Sequence, residues 1–164
     1  MMHTFASRIR RGTRLPAMFA IGLSLGLLAF ATGCDEKLSD VAGPTPGLAP
    51  TFASIQANIF ESSDSSGRAA CIQCHTRQGG RIPPLGLSLD HDAAYQNLVG
   101  VASVGKPGAV RVVPGDAENS YMVHKLEGRS DIVGQRMPRT SGPFLTEGQI
   151  SIIRRWIDQG AQNN

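Results

Sequence analysis

Apolar residues fall into one long run and several short amphipathic stretches. The run is Leu15 to Ala31, broken only by Pro16, Gly22, Ser24 and Gly26. Phe52, Ile55 and Ile59 then recur at helical spacing, which predicts a helix from Thr51 to about Phe60. Asp92 to Val99 reads as a second short helix. Pro114-Gly115-Asp116 predicts a turn into a third, with Asp116 as its N-cap. Tyr121, Met122, Lys125 and Leu126 continue that helix, and Gly128 ends it. The last helix carries the fullest set of local signals. Thr146 and Gln149 form a capping-box pair, Leu145 and Ile150 a hydrophobic staple, and Ile150, Ile153, Trp156 and Ile157 an apolar stripe. Gly160 supplies the stop. Between these helices lie Gly- and Pro-rich segments: Ser62 to Gly67, Gly79 to Pro84, Gly100 to Gly108 and Gly134 to Pro143. The expected fold class is all-α, about four short helices joined by long loops.

The long run has a different meaning. Arg8, Arg10, Arg11 and Arg14 precede it without any acid, the arrangement of a signal peptide's basic and apolar regions. It is short for a permanent transmembrane helix. It closes on Ala31-Thr32-Gly33-Cys34, small residues before a cysteine that resemble a bacterial lipobox. The usual aliphatic residue three before the cysteine is here Ala31. The division expected is a lipoprotein signal peptide over 1–33, a flexible Pro/Gly-rich tether over 34–50 and one folded domain over 51–164, with Cys34 the site of lipidation and contact with the lipid bilayer. Asp35, directly after that cysteine, resembles the inner-membrane retention signal of some Gram-negative bacteria.

Removal of the signal changes the charge. The full chain has sixteen Lys and Arg against thirteen Asp and Glu, net +3. Four of the bases lie in the first fourteen residues and every acid lies beyond Gly33, which leaves twelve bases against thirteen acids, net −1. The basic balance of the whole chain is therefore no argument for nucleic acid as a partner.

Chemistry concentrates at Cys71-Ile72-Gln73-Cys74-His75. Cys-x-x-Cys-His is the attachment signal for c-type haem: two thiols add across the vinyl groups and the histidine is held against the iron. A zinc site wants further Cys or His ligands, and no second pair stands elsewhere in the chain. A redox dithiol wants a strand-to-helix setting, whereas polar, Gly-rich sequence follows. The three cysteines are accounted for by haem (Cys71, Cys74) and lipid (Cys34). One motif implies one covalent haem c. Aromatic residues make up only 5% of the chain, and a buried haem supplies apolar surface that such a domain lacks.

A helix, then Cys-x-x-Cys-His, then a methionine in a loop, then a final helix resembles a class I cytochrome c domain. The likeness extends to the cytochrome c-like domains common in planctomycetes and related bacteria. It rests on Val113-Pro114-Gly115-Asp116 with Ser120-Tyr121, on Arg136-Met137-Pro138, on Gly142-Pro143, and on Arg155-Trp156-Ile157-Asp158 with Gly160-Ala161. It covers about Phe52 to Ala161. The resemblance implies His75 as proximal and Met137 as distal iron ligand, and thioether sulfur opposite imidazole raises a haem's reduction potential. Met122 and His124 are the rival ligands. Both fall inside a predicted helix, where Met122 reads as core and His124 as a surface or haem-edge histidine. His91 reads as a solvated polar residue. A carbonyl of Pro83 or Pro84 is the candidate acceptor for the second ring nitrogen of His75. Trp156 reads as core. Arg136 and Arg139 flank Met137 as solvated arginines or as partners for haem propionates.

These readings converge on an expectation rather than an enzyme: a monohaem carrier of single electrons, exported and tethered to a membrane facing the periplasm, exchanging electrons with membrane or periplasmic redox proteins. A non-catalytic haem-bearing module of a larger envelope complex is the main alternative. A peroxidase-like enzyme would require Met137 not to ligate and acid–base residues to face an open iron.

Overall fold

The computed structural model describes residues 45, 47–139 and 142–164. The expected signal peptide and the site at Cys34 lie outside the described residues. Four short helices are present, and no β-strand beyond isolated bridges forms among the described residues, so the all-α class holds. None of these helices is long and apolar enough to cross a membrane.

Helix α1 (Phe52–Ile55) begins at Thr51, whose extended backbone and side chain cap it by accepting from the Ser54 N–H at 3.3 Å. It continues as a π-helical turn, Gln56–Phe60, closed by Glu61 N–H donating to Gln56 O at 3.0 Å. The expected face is buried, with Ile55 and Ile59 almost wholly enclosed. Asn164 completes the start of the helix. Its side-chain oxygen accepts from Phe52 N–H at 3.0 Å and its carbonyl from Ala53 N–H at 2.8 Å.

Helix α2 (Ala94–Leu98) is shorter than expected and follows a turn in which the Asp90 carbonyl accepts from Ala93 and Ala94. Helix α3 (Tyr121–Glu127) ends at Gly128, which adopts the left-handed conformation (φ 73°). A side chain there would also collide with Arg136, since a Cβ would come within 2.7 Å of its Cδ. The expected N-cap is corrected. Asp116 accepts from the Asn119 N–H at 3.0 Å and so caps the turn before the helix, while Ser120 occupies the cap position. The Ser120 hydroxyl is spent on that turn, donating to Asp116 O and accepting from Val113 N–H, both at 2.8 Å.

Helix α4 (Glu147–Asp158) has the full capping box: Gln149 N–H donates to the Thr146 hydroxyl at 3.2 Å and Thr146 N–H to the Gln149 side chain at 2.9 Å. Leu145, Ile150, Ile152, Ile153, Trp156 and Ile157 all join the core. Phe52 links three helices there. Its ring lies 5.5 Å from that of Trp156 and meets Tyr95 edge-on at 5.1 Å. Trp156 is core, as expected, and its indole N–H donates to Gln162 O at 2.8 Å.

Two segments that carried the family resemblance touch. The Asp158 carboxylate accepts from Ala117 N–H at 2.9 Å, and Ile157 O accepts from Gly115 N–H at 2.8 Å. The last turn of α4 therefore holds the 113–117 turn in place. The packed unit also begins ahead of Thr51. Within the segment expected to be a tether, Leu48 is buried in the core, and the buried Thr45 accepts from the Gln149 amide at 2.7 Å.

Candidate functional site

Cys71–Gln73 form a single 3-10 turn, with Cys74 N–H and His75 N–H both returning to Cys71 O at 3.2 and 3.0 Å. The bond from Cys74 N–H to Cys71 O closes the turn, so the two cysteines stand at its two ends. Neither is in a disulfide. Cys71 is half-buried against the core, and its thiol faces Ile59 O at 3.4 Å. Burial pushes that thiol up to about 11, against a smaller opposite pull from the Arg68 charge. Cys74 is exposed.

Arg68 anchors the approach to this turn. It is almost completely buried and places its guanidinium against the end of α1. It donates to Asn58 O, Ile59 O, Ser62 O and Ala69 O at 3.0–3.1 Å and pairs with Asp64 at 2.9 Å. Burial raises the Asp64 carboxyl, but bonds from Ser66, Arg68 and Gln149 prevail and hold it at about 2. Ile59 O thus faces both the Arg68 guanidinium and the Cys71 thiol.

The imidazole of His75 is fixed from the other side. Its Nδ1 lies 3.1 Å from Leu87 O, and its own carbonyl accepts from Leu89 N–H at 2.8 Å. A carbonyl only accepts, so Nδ1 carries the proton and Nε2 presents its lone pair. Burial pulls the His75 pKa down, the Leu87 bond works against this, and the Arg111 charge adds to it. Burial and the Arg111 charge favour the neutral imidazole, and the Leu87 bond orients it. The acceptor is Leu87, not Pro83 or Pro84. Those prolines instead open the turn Pro84–Gly86, where Leu87 N–H donates to Pro84 O at 3.1 Å, and so set the position from which Leu87 O points back.

Met137 stands in an irregular segment sewn to α3. Its N–H donates to Lys125 O at 2.8 Å, and Arg136 donates to Leu126 O at 2.7 Å. The Lys125 ammonium reaches Val133 O and Gln135 O, and the Tyr121 hydroxyl accepts from Val133 N–H at 2.9 Å. Met137 is half-buried and packs on the same core as Cys71, Leu87 and Met122. Of the rival ligands, Met122 packs on that core from α3. His124 has both ring nitrogens occupied, by Asp131 at 2.8 Å and by Glu118 O at 2.6 Å. His91 is exposed beside Glu61. Arg136 lies over the Phe144 ring at 4.1 Å.

Two further features stand out among the described residues. First, Ile82, Leu85, Val104, Val133 and Phe144 are exposed, Ile82 at 92%, and all lie in loops after the motif or flanking Met137. Leu85 folds over Gly105, where a Cβ would meet it at 2.7 Å, so two of these loops abut. Second, Arg111 is buried with its guanidinium on two carbonyls, Asn97 O at 2.7 Å and Leu85 O at 3.0 Å. No carboxylate pairs with it among the described residues, and burial lowers its pKa. An anionic group beside His75 would meet this charge. No three His, Cys, Asp or Glu side chains gather among the described residues into a group able to hold a metal ion.

Sequence reasoning missed Arg68, Asp90 and Arg111. Arg68 and Asp90 each have one side-chain partner nearby, Asp64 and Ser88, but most of their bonds and both of those of Arg111 reach residues 6 to 26 positions away, beyond any local pattern. Comparisons with protein-family models, curated proteins and solved structures find no match for this chain.

Proposed function

We propose that this protein is a monohaem c-type cytochrome that carries single electrons between membrane or periplasmic redox partners, tethered through lipid on Cys34. The observation that carries the reading is the set Cys71, Cys74 and His75: two free thiols on one turn, followed by an imidazole whose Nδ1 is engaged by Leu87 O and whose Nε2 is available. Haem, when bound, supplies an iron that cycles between Fe(III) and Fe(II).

The chain's own residues do the rest. Cys71 and Cys74 hold the group by thioether bonds, which retain it outside the cytoplasm. Leu87 O keeps His75 in the ligating tautomer. Lys125, through its carbonyl and ammonium, holds the backbone of the Met137 loop, and the Met137 thioether would supply a soft donor to the iron. Arg111 offers charge to a propionate, and the exposed loop residues shield the apolar faces. Were His75 and Met137 both to ligate the iron, no position would remain for substrate, which would favour electron transfer over catalysis.

The test is a redox titration of membranes carrying the full chain, together with electron exchange with quinol-oxidising membrane complexes. A reversible one-electron transition and measurable exchange support the carrier. A haem that never changes redox state in membranes contradicts it.

A further inference from the structure

We infer that Asp90 is a positioning residue for His75, holding the Leu87 carbonyl against the imidazole and so setting the donor strength of the proximal ligand. The inference rests on the cytochrome reading and deepens it.

Asp90 is buried, with 7% exposure, between two backbone segments. One follows the cysteine motif: the carboxylate accepts from the Thr76 hydroxyl at 2.5 Å and from Arg77 N–H at 2.7 Å. The other carries the Leu87 carbonyl: the carboxylate accepts from the Ser88 hydroxyl at 2.7 Å, and that hydroxyl accepts from Asp90 N–H at 3.3 Å. Thr76 and Ser88 are themselves buried, so water does not offer these donors an alternative. The cross-links join the residues that directly follow His75 and Leu87 in the chain, and Leu89 N–H donates to His75 O at 2.8 Å beside them. The bonds from Arg77, Thr76 and Ser88 keep the Asp90 carboxyl below its ordinary range in spite of burial.

A carbonyl that accepts from Nδ1–H makes Nε2 a stronger donor. A stronger donor stabilises Fe(III), so a looser Leu87 contact moves the potential upward.

The experiment uses the haem-loaded full chain and its Asp90→Asn and Ser88→Ala variants. Asparagine turns an amide nitrogen toward donors that the carboxylate accepted. Haem is expected to stay attached in both variants, since the thioethers do not depend on Asp90. The His75 Nδ1–H, followed by NMR, is expected to exchange roughly tenfold faster in Asp90→Asn, the loss of about one hydrogen bond's protection. The reduction potential is expected to rise, and Ser88→Ala to move both readings the same way by less. A lower Tm with unchanged exchange and potential in both variants would reduce Asp90 to a fold-stabilising residue and overturn the inference. Absence of haem from the unmodified protein would overturn the cytochrome reading itself.

Discussion

The Nδ1 atom of His75 lies 3.1 Å from the carbonyl oxygen of Leu87. This contact decides which ring nitrogen is free, and the free nitrogen faces away from the segment that fixes the ring. It separates His75 from His124, whose two nitrogens are both engaged, by Glu118 O ahead of α3 and by Asp131 after it. If His75 is the proximal ligand, His75→Ala shifts the ferric absorption spectrum away from its low-spin form, whereas His124→Ala leaves it unchanged. Optical spectra of the two purified variants check this.

Met137 and Met122 make a second pair to compare. Both are half-buried on the same core, but Met137 sits in a loop sewn to α3 and Met122 in α3 itself. Met137→Ala is expected to abolish the weak far-red band of a ferric His/Met haem and to lower the reduction potential. Met122→Ala is expected to keep the band and to cost about 2 kcal/mol of stability from lost packing. Persistence of the band in Met137→Ala would show another residue at the sixth position.

Much of this was readable in the chain before any coordinates. The capping box at Thr146 and Gln149, the stop at Gly128 and the core face of α4 follow from contacts within four residues, which local sequence encodes directly. Local signals name Asp116 as the cap, whereas the helix starts at Tyr121 and leaves Ser120 in the cap position without a side-chain cap bond. The π-helical turn at Gln56–Phe60 left no sequence signal. It buries Gln56, whose amide nitrogen donates to Glu61 at 2.8 Å and Leu89 O at 2.9 Å while its oxygen has no partner among the described residues. The site was legible in its ligand-bearing residues and not in their supports. Cys71, Cys74 and His75 are a contiguous motif, whereas Asp90 reaches back fourteen residues to Thr76.

Acid should act on the Asp64–Arg68 pair. The Asp64 carboxyl is held at about 2 in the fold against an ordinary value of 3.8. Its folded pKa is lowered, so its contribution is fully present above 3.8 and is lost as pH falls toward 2. Asp64→Asn leaves the buried Arg68 guanidinium without its counter-charge. It is expected to destabilise by about 3–5 kcal/mol near neutral pH and to flatten the acid limb of the stability profile. Denaturant unfolding across that pH range measures both effects.

The two thiols should differ in chain that carries no haem. Cys74 is exposed, while Cys71 is half-buried with its pKa pushed up to about 11. A thiol-alkylating reagent is expected to label Cys74 first and Cys71 only slowly at neutral pH, since the thiolate is the reactive form. On the cytochrome reading neither reacts in the haem-loaded protein, where both sulfurs would be thioethers to the haem. Peptide mass spectrometry after brief labelling distinguishes these cases.

The most direct measurement is haem retention under denaturing electrophoresis of the exported full chain and of its Cys71→Ala/Cys74→Ala double variant. The cytochrome reading predicts a haem-stained band at the mass of the chain, lost in the double variant. Exported protein that is folded and carries no haem, or haem that survives replacement of both cysteines, would contradict it.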